Sequence, residues 1–224
     1  MKTALLVALS ATVMAVEVYP EPGMNLDPAS FTDIRLMLGV AAPITKAEAL
    51  DVKYELDPGL APRVGLQWVQ GLGGDSFGAA LGLELAYDDH RGDISRATGA
   101  QTLYGTGATT LDAVTIGVMP KLVLRPDYDD PIDWAPGSVQ VELAPVLAAG
   151  LCYAHIAGSE RSGATPILRW GARLDVVWTM ANRWQAGLSL AWEAFETNPS
   201  FEHDDDTLIS GDGVCGGLIL GRRM

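Results

Sequence analysis

The sequence predicts an all-β protein, an eight-stranded antiparallel up-and-down barrel that crosses a membrane. Three observations support this fold class. One hairpin alternates strictly between apolar and polar residues, its apolar face carries tryptophans at both ends, and the only long apolar run near the N-terminus is too short for a membrane helix. Together they predict a secreted chain that enters a membrane with strands.

The hairpin occupies Leu168–Phe195 and consists of two alternating runs around a tight connection at Met180–Arg183. Alternation is typical of strands, because successive side chains point to opposite faces. Each run places two tryptophans eight residues apart on its apolar face: Trp170 and Trp178, then Trp184 and Trp192. At about 3.3 Å per residue and a tilt of roughly 40°, that spacing covers about 20 Å along a membrane normal. Aromatic residues that flank an apolar band of this height are typical of transmembrane barrels.

The N-terminus reads as a secretory signal peptide over residues 1–15, with Lys2 before an apolar run and a small-residue cleavage site after Ala15. A buried N-terminal helix is the less favoured alternative. Val16 stands where a lipoprotein would carry its cysteine, so that anchor is not expected. Residues 16–30 are proline-rich and are predicted to be an irregular periplasmic lead-in, and residues 31–224 are predicted to form the barrel.

The same alternation predicts eight strands, at about 32–41, 62–70, 77–87, 114–125, 138–153, 168–178, 184–195 and 213–222. Pro120 makes the fourth irregular, since proline removes a ladder donor. The long connections are 42–61, 88–113, 154–166 and 197–212. Of the three connections on the other side, 71–76 and 180–183 are short, while the acidic turn 126–137 is longer. Long loops on one side and short turns on the other predict that the loops lie outside the cell.

Outward-facing aromatic residues are predicted at both membrane interfaces. The set comprises Trp68, Phe77, Trp178 and Trp184 at the periplasmic end, and Tyr87, Tyr153, Trp170 and Trp192 at the outer end. Every strand also places a glycine inward, as expected for the narrow bore of an eight-stranded barrel. A soluble, lipocalin-like barrel is the alternative. It is less favoured, because the aromatic residues of the apolar face cannot all fit inside so narrow a bore.

Composition excludes one class of function. The chain has 28 acidic and 15 basic residues, a formal net charge of −13, whereas nucleic-acid binding needs a basic surface.

The predicted lumen carries charges of both signs: Arg35, Glu84, Lys121, Glu142, Arg169, Arg173, Asp175 and Glu193. Buried charges must be paired to be tolerated, so the favoured interpretation is a salt-bridge network that plugs the barrel. A small gated pore lined by the same charges is the alternative.

Cys152 and Cys215 both face inward near the outer rim, and two cysteines in a secreted chain suggest a disulfide. Their strands are not neighbours, so the Cα separation could exceed the roughly 7 Å that a disulfide bridges. Both outcomes stay open.

The predicted outer loops and turns hold weaker candidates. His155 with Ser159 and Glu160 is the best available set for a lipid-modifying enzyme, although its spacing matches no strong motif. Arg91-Gly92-Asp93 is an adhesion-type tripeptide in the longest loop, and such a short match arises easily by chance. Two acidic runs, Asp127–Asp133 and Glu202–Asp206, could hold a hard cation but lack EF-hand spacing, so solvated loops are favoured and no metal site is predicted.

With its signal segment, dyad-repeat strands such as Leu168–Trp178 and aromatic girdles, the chain resembles the small OmpA/OmpX/OmpW-like outer-membrane barrels over residues 31–222. The resemblance rests on pattern rather than on a specific motif. Family members commonly end on an aromatic residue, and this chain departs from them by ending Gly221-Arg222-Arg223-Met224. The resemblance implies residence in the outer membrane of a Gram-negative-type bacterium.

The functional expectation is a structural or surface-interaction role, with a narrow pore and a lipid-modifying enzyme as successive alternatives. No enzymatic activity and no cofactor are predicted. The expected partners are the outer-membrane bilayer and an extracellular ligand at the long loops, if one exists.

Overall fold

The computed structural model describes residues 31–49, 52–56, 60–74, 76–98, 108–126, 138–155, 164–180, 182–199 and 208–224. They contain nine β-strands: β1 Thr32–Ala49, β2 Val52–Leu56, β3 Ala61–Gly74, β4 Phe77–Thr98, β5 Ala108–Leu124, β6 Ser138–His155, β7 Ala164–Thr179, β8 Trp184–Thr197 and β9 Leu208–Arg223. The predicted signal peptide and lead-in, residues 1–30, lie outside the described residues. In the described part of the chain, no helix has both the length and the apolar character needed to cross a membrane.

The strands close into a barrel. Neighbours around the sheet pair antiparallel, and β1 pairs with β9 from Asp33 opposite Arg223 to Glu48 opposite Leu208. The short β2 pairs with the outer parts of both β1 and β4, which β3 does not reach. Because β2 and β3 occupy one position around the barrel, the fold is the predicted eight-stranded up-and-down antiparallel barrel. The fold class is therefore confirmed.

Alternation along each strand separates an apolar exterior from a polar interior. Outward side chains are strongly exposed, as in Ile116 at 65% and Leu188 at 62%, while Arg35 and Gln67 inside the barrel are 0% exposed. A water-soluble barrel would reverse this arrangement, because burial of apolar surface drives folding in water. The exterior is therefore built to face lipid.

Several strands extend further on the outer side than predicted. β1 reaches Ala49, β4 reaches Thr98 and β9 begins at Leu208, so parts of the predicted loops 42–61, 88–113 and 197–212 are strand. β2 lies entirely within one of these predicted loops. Beyond the apolar belt both faces of a strand can be polar, so the alternation ends although backbone pairing continues. The predicted strand ends were wrong for that reason.

Pro120 does not end β5, which runs through it to Leu124. The irregularity lies in the β5–β6 ladder, which lacks pairs between Val118–Leu147 and Leu122–Leu143. Continuing the register places Pro120 opposite Pro145 of β6 at the centre of this gap. Since neither proline has an N–H group, neither can donate to the other strand.

The predicted turn at 180–183 is closed by two backbone hydrogen bonds. The N–H of Met180 donates to the carbonyl of Trp184 at 2.8 Å, and the N–H of Arg183 donates to the carbonyl of Met180 at 2.9 Å. Arg183 has a φ of 65°, in the left-handed region that favours glycine. The Asn182 side chain accepts a hydrogen bond from the N–H of Trp184 at 3.2 Å, consistent with its expected role as turn former.

Candidate functional site: the filled lumen and its outer vestibule

The charged side chains inside the barrel form two clusters. The lower cluster, toward the start of β1 and the end of β9, comprises Asp33, Arg35, Lys121, Glu142, Asp175 and Arg223. The upper cluster, toward the outer end, comprises Arg63, Glu84, Asp88, Arg169, Arg173 and Glu193. Each cluster contains three cations and three anions, so each is neutral overall.

Glu142 is the hub of the lower cluster. Arg35 binds it in a bidentate manner, from Nη1 to Oε2 at 2.8 Å and from Nη2 to Oε1 at 2.7 Å. Lys121 Nζ donates to Glu142 Oε2 at 2.6 Å and to Asp175 Oδ2 at 2.9 Å. Arg35 on β1 and Glu142 on β6 lie on well-separated strands of the closed sheet, so this interaction spans the bore.

Asp33 connects the lower cluster to the end of the chain. It accepts hydrogen bonds from Arg35 Nη2 at 2.7 Å and from Arg223 Nε at 2.7 Å. Gln185 Nε2 also donates to Asp33 Oδ2 at 2.9 Å. Asp33 and Arg223 face each other across the β1–β9 pair that closes the sheet.

The upper cluster contains a closed ring of alternating charge. Arg63 Nη1 lies 2.6 Å and Arg169 Nη1 3.2 Å from Glu193 Oε2. Arg169 Nη2 lies 2.6 Å from Asp88 Oδ2, and Arg63 Nε lies 3.6 Å from Asp88 Oδ1, which completes the ring. Because β3, β4, β7 and β8 each supply one member, the ring extends across the lumen.

Arg173 and Glu84 complete the upper cluster. Arg173 Nη1 donates to Glu84 Oε2 at 2.5 Å, and Arg173 Nη2 donates to Glu193 Oε1 at 2.8 Å. Arg63 Nη2 donates to Glu84 Oε1 at 2.5 Å. Both carboxylates therefore bind two or more guanidinium groups, which offsets the cost of removing these charges from water.

Phe31 is buried at the end of the bore where β1 begins and β9 ends. Its side chain is 2% exposed and packs in a cluster with Val69, Ala80 and Val123. The guanidinium carbons of Arg223 and Arg125 lie 4.2 Å and 5.2 Å from the centre of the Phe31 ring, as in cation–π contacts. The Phe31 carbonyl accepts a hydrogen bond from the N–H of Gly71 at 2.7 Å, which fixes the residue at the mouth of the barrel.

A vestibule opens at the other end, above the ring of the upper cluster. Its empty volume, including the open mouth, is about 390 Å³. The four ring residues contribute to its lining together with His90, Phe195 and Cys215. The His90 and Phe195 ring centroids are 5.4 Å apart. Burial lowers the pKa of the His90 imidazole. The Asp88 carboxylate opposes this shift, whereas the cations Arg169 and Arg63 act in the same direction as burial.

All eight lumen residues predicted from the sequence belong to these two clusters. The prediction omitted four further members: Asp33, Arg63, Asp88 and Arg223. Asp33 and Arg63 occupied inward positions of predicted strands, so the alternation could have included them. Asp88 and Arg223 each stand one residue beyond a predicted strand end, where the alternation was not continued.

The predicted girdle residues occupy outward positions. Seven have exposed side chains: Trp68, Phe77, Tyr87, Tyr153, Trp170, Trp178 and Trp192. Trp184 is half-buried beside Arg222, whose guanidinium carbon lies 5.9 Å from the centre of the Trp184 indole. These aromatic residues therefore lie on the lipid-facing side of the barrel, and their arrangement in two girdles stays a prediction.

The two cysteines are free thiols rather than a disulfide. Cys152 is on β6 and Cys215 is on β9, with β7 and β8 between them in the closed sheet. Three strand intervals of about 4.8 Å exceed the Cα separation that a disulfide spans. The suggested bridge is therefore not formed.

The loop candidates are distributed differently from the prediction. His155 ends β6 with an exposed side chain, while Ser159, Glu160 and the acidic runs 127–133 and 202–206 lie outside the described residues. Arg91-Gly92-Asp93 is not in a loop but in β4, paired with 108–110 of β5. The described residues bring no group of three or more His, Cys, Asp or Glu side chains together in a geometry suited to a metal ion.

A closed antiparallel barrel with an apolar exterior that carries exposed aromatic side chains, and with a charged interior, is a transmembrane β-barrel of the outer-membrane class. No protein-family model and no curated protein matches the sequence.

Solved structures do match. OprG from Pseudomonas aeruginosa superposes with a TM-score of 0.52 at 12% identity, over 88% of this chain and 96% of that one. Neisserial surface protein A gives a TM-score of 0.38 at 14% identity, over 84% of this chain and 96% of that one. Ail of Yersinia pestis gives 0.33 at 11% identity, over 85% and 98%. The likeness to OprG supports the fold of an eight-stranded outer-membrane barrel.

Proposed function

We propose that the protein is an integral outer-membrane barrel with a closed lumen, whose structural or surface-interaction role is performed by its outer end. The apolar exterior, its exposed aromatic side chains and the OprG-like fold support this membrane location. The proposed topology places the chain termini in the periplasm and the extended parts of β1, β2, β4 and β9 outside the cell.

The burial and pairing of both charge clusters is the observation that carries this proposal. Both charge clusters are neutral, and every member of the two clusters is at most 7% exposed. An ion crossing the barrel would have to separate the Arg63–Glu193 and Arg35–Glu142 pairs and displace Phe31. Breaking a buried ion pair leaves uncompensated charge and costs about 3–5 kcal/mol. A barrel held shut in this way is suited to anchoring an outer surface.

Planar-bilayer recording tests the closed lumen. We expect no unitary conductance from the purified barrel. Folding of the sample is checked by heat-modifiable mobility, which is a change in gel mobility when the folded barrel is heated. The matched control replaces the pairs Arg63/Glu193 and Arg35/Glu142 by serine and Phe31 by alanine, and this variant should show current steps. Stable unitary conductance of the unmodified protein would instead support the second candidate, a small pore.

We also propose that the barrel is not an enzyme. The alternation along β6 directs His155 outward, as it does Tyr153, and therefore away from the vestibule. Lipid A from cells that express the protein should keep its mass profile. A new lipid A species that disappears in the His155→Ala variant would contradict this proposal.

A further inference from the structure

Two rings meet across the outer end of the bore. His90 on β4 and Phe195 on β8 lie with their ring centroids 5.4 Å apart and an interplanar angle of 38°. Because β2 and β3 share one of the eight positions around the barrel, β4 and β8 are four positions apart and face each other across the bore. Asp88 and Glu193, two members of the charge ring, stand two residues below the pair on the same strands. The His90–Phe195 pair therefore spans the vestibule above the ring.

Phe195 has little freedom on its side of the vestibule. Its side chain is 7% exposed, and the residue directly opposite it on β9 is Gly211. A Cβ added to Gly211 would lie 2.6 Å from Cε1 and 2.8 Å from Cζ of the Phe195 ring. The ring therefore occupies the space that a side chain at position 211 would take, and Phe195 is the fixed member of the pair.

His90 is packed as a neutral ring. Its Nδ1 atom is buried and has no hydrogen-bond partner among the described residues. Leu111, directly opposite on β5, is 3% exposed and has no side-chain acceptor. An imidazolium carries an N–H on both ring nitrogens, and the donor at Nδ1 would have no acceptor here. Since an unpaired charged donor costs more than an unpaired neutral group, this packing favours the neutral imidazole.

Charges of both signs surround His90. The charged and titratable groups near it in the described part of the chain are Asp88 and Asp89 on its own strand, Arg63 on β3, Arg169 on β7, Glu193 on β8 and Cys215 on β9. Burial is the largest influence and lowers the pKa of His90, and the two arginines act in the same direction. The two aspartates oppose this shift without cancelling it. The surroundings therefore disfavour the imidazolium while the ring remains in place.

We propose that the His90–Phe195 pair is a pH-sensitive constriction of the outer vestibule, which is held together while His90 is neutral and parts when the protonated imidazole turns out to solvent. Phe195 stays against Gly211, so parting exposes the face of its ring that His90 covers. The ion pairs of the charge ring remain formed in both states. The constriction thus controls access to the vestibule and not passage through the bore, and the proposal does not depend on whether the lumen conducts.

The direction of the pH dependence follows from the burial of His90. The imidazole binds a proton less readily in the closed arrangement than in solvent, so closure is favoured above about pH 6.5 and weakens as the pH falls below that value. Protonation shifts the equilibrium only by its difference in affinity for the two states. A difference of one pKa unit changes their ratio up to about tenfold.

Fluorine NMR of the barrel in micelles, with para-fluorophenylalanine in place of phenylalanine, tests the proposal. The Phe195 and Phe31 resonances are identified by their loss in Phe195→Leu and Phe31→Leu. The difference in chemical shift between light and heavy water reports the solvent exposure of each ring. For Phe195 it should increase at least about twofold between about pH 7.5 and about pH 5. Phe31, buried at the other end of the bore, is the internal control and should not change.

His90→Gln removes the titrating group, so its Phe195 resonance should report the same solvent exposure at both pH values. The matched control is His155→Gln on the exposed face of β6, which should keep the full pH response. Equal exposure of Phe195 at both pH values in the unmodified barrel would overturn the proposal, and so would a response that persists in His90→Gln. Simultaneous exposure of Phe31 in acid would also contradict it, because the whole barrel would then be opening.

Discussion

A buried charged residue in this barrel is stabilised because it binds two or three residues of opposite charge. Glu142 binds Arg35 and Lys121, and Glu193 binds three arginines, all inside the bore. An isolated ion in this environment would be strongly unfavourable, whereas a fully paired one can be accommodated. A residue with two or three partners is consequently the most sensitive position in the lumen.

Glu142→Gln should destabilise the barrel by about 3–5 kcal/mol, because Arg35 and Lys121 would lose their shared carboxylate while fully buried. Urea unfolding of the protein in micelles, followed by gel mobility, measures the change. The matched control is Asp89→Asn, which breaks the exposed pair with Arg91 and should change stability little. Equal stability of Glu142→Gln and the unmodified barrel would contradict the hub role.

His90 should make stability depend on pH. Burial lowers its pKa below the ordinary 6.5, so the unfolded chain takes up the proton more readily than the folded barrel. Its contribution to stability is present above about pH 6.5 and decreases as the pH falls below that value. Comparing urea midpoints of the unmodified protein and His90→Gln at about pH 7.5 and pH 5.5 isolates this contribution. If the two proteins lose equal stability between these pH values, His90 is not the responsible group.

At the scale of strands, the packing of neighbouring backbones decides which small residues are needed. A Cβ added to Gly150 would lie 1.9 Å from the carbonyl oxygen of Val114 on β5, and one added to Gly171 would lie 2.1 Å from that of Trp192 on β8. The same atom on Gly65 would lie 3.4 Å from the Cβ of Met37, an ordinary contact. The inward glycines are therefore not equivalent.

Gly150→Ala should destabilise the barrel by at least about 2 kcal/mol, since two paired strands would have to move apart. Gly65→Ala is the matched control and should be tolerated. Both free energies follow from urea unfolding in micelles. A Gly65→Ala variant as unstable as Gly150→Ala would show that bore volume, rather than strand spacing, sets the requirement.

The β5–β6 ladder should strengthen when its two prolines are replaced. Pro120→Val/Pro145→Val restores two N–H donors at facing positions, and two hydrogen bonds contribute roughly 1–3 kcal/mol. Hydrogen exchange measured by mass spectrometry should show increased protection of peptides around 118–122 and 143–147. Unchanged protection would mean that the strands remain apart for a reason other than the missing donors. Ala149→Val, on the outward face of β6, is a control for added side-chain volume.

At the scale of the molecule, the two ends of the bore differ, because one opens into the vestibule and the other holds the buried Phe31. The two thiols test the orientation of these ends. Cys215 lines the outer vestibule, whereas Cys152 is 1% exposed. On intact cells, we use a small membrane-impermeant thiol reagent. It should label the Cys152→Ser variant, whose remaining thiol is Cys215, much faster than the Cys215→Ser variant, whose remaining thiol is Cys152. If Cys215 were labelled only in permeabilised cells, the proposed orientation would be reversed. If the gel mobility of the unmodified protein changed on reduction, the two cysteines would not be free thiols.

The sequence predicted the fold better than the site. Alternation identified the strands because it reflects local backbone geometry, and the structure buries Arg35, Glu142 and Arg173 at the inward positions that alternation gives them. It did not extend β4 beyond Tyr87 or identify β2, because pairing there continues without an apolar belt. Consequently Asp88 and His90, both lining the vestibule, were assigned to a loop.

The sequence by itself determined the barrel, its apolar exterior and eight of the charged residues inside, because side-chain direction in a strand depends only on position along the chain. The tertiary structure decided which charges meet: Arg35 with Glu142, Arg63 with Glu193, and Arg223 with Asp33. It also decided that Cys152 and Cys215 remain apart. These contacts depend on the stagger between strands and on closure of β1 against β9, which together set the height of each side chain in the bore.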